Sequence, residues 1–198
     1  YYDDPAFTAR PTWATSFCTA LVLPSLATAE GMGWVGDLAI RRRATEYVRR
    51  CALPGGAYEY DLRPVARISG GEHINRVKGS LGRIQVCNWG RAASGDRSVT
   101  PDVIRAGLEG SLDDHGFLAG AGIRPISHDA YYANAGYFYF FAHYYAAQAI
   151  ELLPEEEREG YHARLRPHLA KTVRADGSTS DFLSTSYMIL ASTSYLSM

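Results

Sequence analysis

Nine aromatic residues fall within the fifteen positions from Tyr131 to Tyr145. Rings at that density can line a surface for an apolar ligand or stabilise a cation, or they can fill a core. Both readings stay open. His128 and Asp129 stand just before the run. They read either as a helix N-cap arrangement or as an acid–base pair at its mouth, and they are the weak catalytic candidates. Cys87 and His143 bring a thiol and an imidazole, a soft pair that suits zinc only with at least one further ligand. Buried packing is the alternative for both. Acidic runs are found at Asp3-Asp4, Asp113-Asp114 and Glu155-Glu156-Glu157. Neighbours on a helix do not face each other, and acids in a first turn complement the helix dipole, so these read as surface features. The sequence holds no nucleophile elbow, no phosphate-cradling glycine loop and no CxxC pair. The candidate ligand-binding residues are Trp13, Tyr131, Tyr132, Asn134, Tyr137 and Tyr144. No cofactor is expected.

The elements that would position these groups follow a repeat. Thr15-Ser16-Phe17, Gly79-Ser80-Leu81, Ala135-Gly136-Tyr137 and Thr185-Ser186-Tyr187 each read small, small, large apolar, in steps of 64, 56 and 50 residues. Cys87 and His143 each lie seven residues past such a mark. They are therefore expected at equivalent places on adjacent helices. A second pattern, Gly56-Ala57-Tyr58, Gly116-Phe117-Leu118 and Gly177-Ser178-Thr179, recurs at 60 and 61 residues. Repeats of this length mean stacked supersecondary units.

The pattern predicts seven helices, over about 14–28, 37–50, 75–93, 100–112, 129–153, 155–173 and 181–198, with an irregular stretch at 115–127. Pro24 should kink the first, and Thr100-Pro101 is a strong start for the fourth. The odd-numbered helices are apolar or rich in small residues, and the even-numbered ones are charged and amphipathic. A helix apolar all round is buried on both sides, an amphipathic one on a single side. The expected fold is therefore all-α: an α/α toroid, or an open half-toroid, with inner and outer layers.

The chain has 198 residues and a formal net charge of −1. That length suits a single domain over 1–198. The balanced charge implies no nucleic-acid partner, and the arginines at 41–43 and 49–50 read as a solvated helix face. Three cysteines, an odd number, signal no disulfide framework. Ala130 to Ile150 lacks Asp, Glu, Lys and Arg and is long enough to span a bilayer. Its tyrosines run along the middle rather than gathering at two interfaces, so it reads as a buried helix, and no transmembrane segment is expected. The chain starts at Tyr1 without a methionine, and the expectation is the C-terminal part of a longer chain. No compartment is indicated.

At this point the chain resembles the repeats of terpenoid cyclases and protein prenyltransferases, of the squalene–hopene cyclase type. Asp176-Gly177-Ser178 followed by Ser184-Thr185-Ser186-Tyr187-Met188-Ile189-Leu190 is similar to the family's turn and inner helix. Pro54-Gly55-Gly56-Ala57-Tyr58 and the run from Trp13 to Leu21 look like weaker copies. The resemblance implies a toroid and an apolar or isoprenoid small molecule. The departures are equally specific. Thr179 stands where the family carries an aromatic residue. Neither Asp-x-Asp-Asp nor Asp-Asp-x-x-Asp occurs, and Gln85-Val86-Cys87 imitates the zinc-binding Asp-x-Cys too late in its helix. The length gives three and a half helix pairs, where a closed ring needs about six. The leading expectation is a relative without the catalytic motifs that binds an apolar ligand or a protein segment on a concave aromatic face. The alternatives are an isoprenoid-acting enzyme whose acids lie outside this chain, and a structural repeat protein that self-associates.

Overall fold

The computed structural model describes residues 14–34, 39–62, 74–121, 130–134, 138–179 and 194. Among them are seven α-helices: α1 (Ser16–Gly31), α2 (Ala39–Cys51), α3 (Leu81–Ala93), α4 (Pro101–Asp113), α5 (His115–Ala121), α6 (Tyr139–Ile150) and α7 (Glu155–Ala170). No strand occurs among the described residues beyond an isolated Ala52–Tyr58 bridge. The predicted seventh helix, 181–198, lies outside the described residues.

The apolar helices α1, α3 and α6 pack side by side with α3 in the middle. The charged helices lie against them: α2 on α1, α4 on α3 and α6, and α7 on α6. Each charged helix buries little, Val48 and Cys51 in α2, Ile104 and Leu108 in α4, Leu165 in α7. Phe140 of α6 is buried, whereas Arg42 and Arg164 face solvent. The alternation of helix character in the sequence thus translates into the alternation of position.

Small residues set the spacing. A β-carbon on Gly82 of α3 would stand 2.7 Å from the Ala142 β-carbon of α6. One on Gly90, at the other end of α3, would stand 2.3 Å from the Ala20 carbonyl oxygen of α1. Ala20 is the residue whose carbonyl Pro24, lacking an N–H, leaves without its usual partner four residues on. The Gly90 Cα hydrogens fill that gap, in the manner of a weak C–H···O contact.

The repeat has a geometric basis. The two helix starts differ: Thr15 caps α1 by accepting a hydrogen bond from the Cys18 amide, whereas Ser80, which the repeat pairs with Ser16, precedes α3 without a side-chain cap. Both helices end alike. Gly33 and Gly95 adopt φ of 88° and 89°, and the amides of Trp34 and Asp96 reach back to the carbonyls of Ala29 and Arg91. This closure needs a left-handed residue, which glycine supplies without strain. The turns after α2 and α7 also match. Leu53 N donates to Ala57 O and Arg174 N to Ser178 O, both at 2.8 Å.

Several expectations require correction. Gly116-Phe117-Leu118 is no copy of those turns, because it lies within α5, where an irregular stretch was expected. Burial of His115, Leu118 and Ala121 at three-residue steps holds that short helix in place. The aromatic helix begins at Tyr139 rather than near 129. Before it, Tyr131–Ala133 form a 3-10 turn, and Tyr132 and Ala133 have positive φ of 60° and 56°, which no α-helix contains. α3 likewise starts at Leu81, after a 3-10 turn at Val77–Gly79. α1 is not covered on both sides among the described residues: it buries Ser16, Ala20 and Leu23 and leaves Val22 49% exposed. It has one described apolar helix beside it, α3, whereas α3 has two, α1 and α6. No helix among the described residues is long and apolar enough to cross a membrane.

A buried ionic cluster joins α2, α3 and the loop after α3. Asp96, with no exposed side-chain surface, accepts from Arg91 Nε at 2.8 Å and from Arg49 Nε and Nη2 at 2.9 and 2.7 Å. Ser98 donates to the same carboxylate through its amide and its hydroxyl. Arg91 also donates to Tyr58 Oη, whose own proton goes to Asn88 Oδ1, both at 2.8 Å. Burial pushes the Asp96 carboxyl up, but hydrogen bonds from Arg49, Ser98 and Arg91 outweigh it and hold the group well below the carboxylate range.

Candidate functional site

The starts of the three apolar helices meet at a pocket. Phe17 of α1, Leu81 and Arg83 of α3, and Phe138 and Phe141 beside and within α6 line it, with Asn134 at its edge. The three phenylalanine rings meet mostly edge to face: Phe17 to Phe138 at 5.6 Å and 86°, Phe17 to Phe141 at 6.1 Å and 83°, Phe138 to Phe141 at 5.5 Å and 65°. That is the preferred aromatic arrangement, so the rings largely fill their own space. About 40 Å³ remains open. Arg83 brings a cation to this apolar wall, held by the carbonyls of Tyr58 and Ile74 at 3.1 and 2.6 Å.

The segment 130–134 borders this pocket. Asn134 is buried and pins it, donating to Lys78 O at 2.9 Å and Tyr131 O at 3.2 Å. Tyr132 sets its ring edge-on to Phe117 at 4.9 Å, and the Lys78 ammonium lies over both rings. Two successive non-glycine residues in the left-handed region cost on the order of 1–3 kcal/mol each. Strain of that kind persists only where the surroundings impose it, and it gathers at ligand clamps.

The candidates from the sequence divide accordingly. Asn134 lines the pocket, whereas Tyr132 packs on Phe117 and Lys78 beside it and Tyr131 is 73% exposed, neither of them lining it. Tyr144 is half-buried against Tyr145 and does not line the pocket. Trp13, His128, Asp129 and Tyr137 lie outside the described residues.

Cys87 and His143 are not brought together. Cys87 is fully buried in the core shared with Cys51 and Tyr58, and burial pushes its thiol up to about 12. His143 turns the other way, toward α5. Its Nδ1 lies 2.7 Å from the Tyr139 carbonyl and its Nε2 lies 2.9 Å from His115 Nε2. A carbonyl can only accept, so Nδ1 carries the His143 proton and its Nε2 accepts from His115. His168 of α7 stacks on His115 with centroids 3.6 Å apart. Burial, then the neighbouring His143 and His168, push His115 down to about 3, and burial lowers His143 to about 4. Both rings are neutral at neutral pH. Among the described residues no group of three or more His, Cys, Asp or Glu is arranged to hold a metal. Two of the acidic runs are surface features as expected, with Asp113 exposed and Glu157 paired with Arg105 at 2.7 Å, and Asp3-Asp4 lies outside the described residues.

The histidine cluster and the Asp96 cluster were not anticipated, because their members come from separate elements with no shared spacing. Comparison of the chain with protein-family models, with curated proteins and with solved structures finds no match.

Proposed function

We propose that this chain is a helical-repeat protein of the terpenoid cyclase and prenyltransferase type of architecture, its helix rows forming an arc of an α/α toroid. It binds an apolar, isoprenoid-like molecule in the pocket where the apolar helices begin, and it carries out no cyclisation or transfer itself. The observation behind this reading is the convergence of Phe17, Phe138 and Phe141 beneath a strained tyrosine segment. Ring faces there suit an unsaturated hydrocarbon chain, and Arg83, Ser80 and Asn134 supply polar contacts for one end of it. The open volume holds little more than a water or two, so binding requires the 130–134 segment to move outward. Release of its left-handed strain offsets part of that cost.

Titration with farnesol, followed by intrinsic fluorescence, tests the reading. Saturable binding should weaken about tenfold or more in Phe138→Ala, from the lost apolar contact, and remain unchanged in Arg166→Gln. A folded protein that takes up no prenol between ten and twenty carbons long (range set by the pocket class, roughly) would sink it.

A further inference from the structure

A second concavity lies at the opposite end of α3 from the aromatic pocket. A cleft of about 960 Å³ runs along α2 and the Ser94–Asp96 turn. Five arginines of α2 line it, Arg41, Arg42, Arg43, Arg49 and Arg50, against the carboxylates of Glu46 and Asp96. Asp96 is already shared between Arg49 and the buried Arg91. Arg41 is held by Glu30 at 2.7 Å. Among the described residues Arg42 and Arg50 have neither an ion pair nor a hydrogen bond, and both face solvent. The cleft therefore carries an excess of positive charge with two guanidiniums unengaged.

We propose that this cleft binds a small organic molecule carrying two or more phosphate groups. Guanidinium is a planar fork of donors that matches phosphate oxygens two at a time, which a lone ammonium does not. More than one phosphate is required by spacing. Arg42 and Arg49, like Arg43 and Arg50, are seven residues apart, which is about two turns and roughly 10 Å along one helix face. A single phosphate does not bridge that span. The cleft is open to solvent and has room for a nucleotide-sized ligand laid along α2. Arg49 is fixed in advance by its two bonds to Asp96, and Arg41 by Glu30 and the Ser94 carbonyl, so part of the site is ordered before a ligand arrives. The site is independent of the aromatic pocket and stands or falls separately from it.

Calorimetric titration with ATP and with inorganic tripolyphosphate tests the proposal. Both should bind at one per chain, more weakly as salt rises from about 0.05 to about 0.2 M. Arg42→Gln/Arg50→Gln should lose about tenfold or more in affinity for each, with an unchanged far-UV spectrum, since both side chains are exposed. Arg166→Gln, which removes an exposed arginine on α7, should stay within about twofold. Unchanged affinity in the double variant, an equal loss in Arg166→Gln, or no heat with either ligand at millimolar concentration would overturn it. So would tighter binding of a poly-glutamate peptide or of duplex DNA than of ATP.

Discussion

Two buried polar clusters sit on opposite sides of the molecule and solve the same problem differently. At the α2–α3 side, Asp96 stays charged between Arg49 and Arg91. At the α5–α6–α7 side, His115, His143 and His168 gather with no carboxylate within hydrogen-bonding reach among the described residues, and the buried pair stays neutral. Burial opposes charge in both places. Where two guanidiniums and a hydroxyl donate, the charge survives. Where the neighbours are other imidazoles and apolar side chains, it does not. The first cluster depends on its buried counter-charge, whereas the second depends on its imidazoles staying neutral and hydrogen-bonded.

The largest expected effect comes from unbalancing the first cluster. Asp96→Asn leaves Arg91 buried without its counter-charge and should cost about 3–5 kcal/mol in chemical unfolding. A loss below about 1 kcal/mol would mean water reaches Arg91 and the cluster is not truly buried.

Acid should act on the second cluster first. The folded pKa values of about 3 for His115 and about 4 for His143 lie below the ordinary value of 6.5. Between 6.5 and about 4 the unfolded chain binds protons that the folded chain refuses. Stability is therefore fully present above 6.5 and is lost as pH falls, by about 1.4 kcal/mol per pH unit for each fully titrating histidine. Asp96 contributes nothing in that window. Its pKa is depressed, so its stabilisation is present above the ordinary carboxylate pKa of 3.8 and fades only below it. Urea midpoints measured from pH 7.5 to pH 4.5 (roughly the range that spans the histidine titration) check this; a flat profile would contradict neutral, buried histidines.

His115→Phe sharpens the same point. It removes one proton from the acid slope and, at neutral pH, costs about 1–3 kcal/mol, because His143 Nε2 loses its donor. A variant with the parent slope would show that His115 does not titrate on unfolding as argued.

The smallest effect belongs to the exposed arm of the ionic cluster. Arg49 is 45% exposed, and Arg49→Gln should cost about 1 kcal/mol and do so less at high salt. A loss as large as that of Asp96→Asn would make Arg49, not Arg91, the essential partner.

Much of the helical layout was legible from residue pattern. Thr100-Pro101 marks the start of α4, and the acids after Pro154 mark that of α7. Gly33 and Gly95 end their helices as the local chemistry demands. α5 was hidden because Gly116 and Gly120 lower helix propensity, and only tertiary burial of its apolar face compensates. The delayed start of α6 escaped because the tyrosines at 131 and 132 are compatible with a helix, and only the bond from Asn134 to Lys78 reveals the alternative. Of the site, Asn134 was legible through its place just before the third small-small-large mark. Phe17, Arg83 and Phe141 were not, since nothing in sequence says that they share a wall. Asp96 looked like an ordinary turn residue, and its two arginines come from helices that only the fold brings together.

The contact between Gly90 and the Ala20 carbonyl has a consequence for how these positions tolerate exchange. An ordinary residue at position 24 would recover the missing amide and draw the carbonyl back into its own helix, leaving the neighbouring rod nothing to rest on there. A methyl group at position 90 would push the two rods apart while the proline still withheld its donor. Two sites distant along the chain are thus coupled: what an exchange at one does depends on the residue that stands at the other.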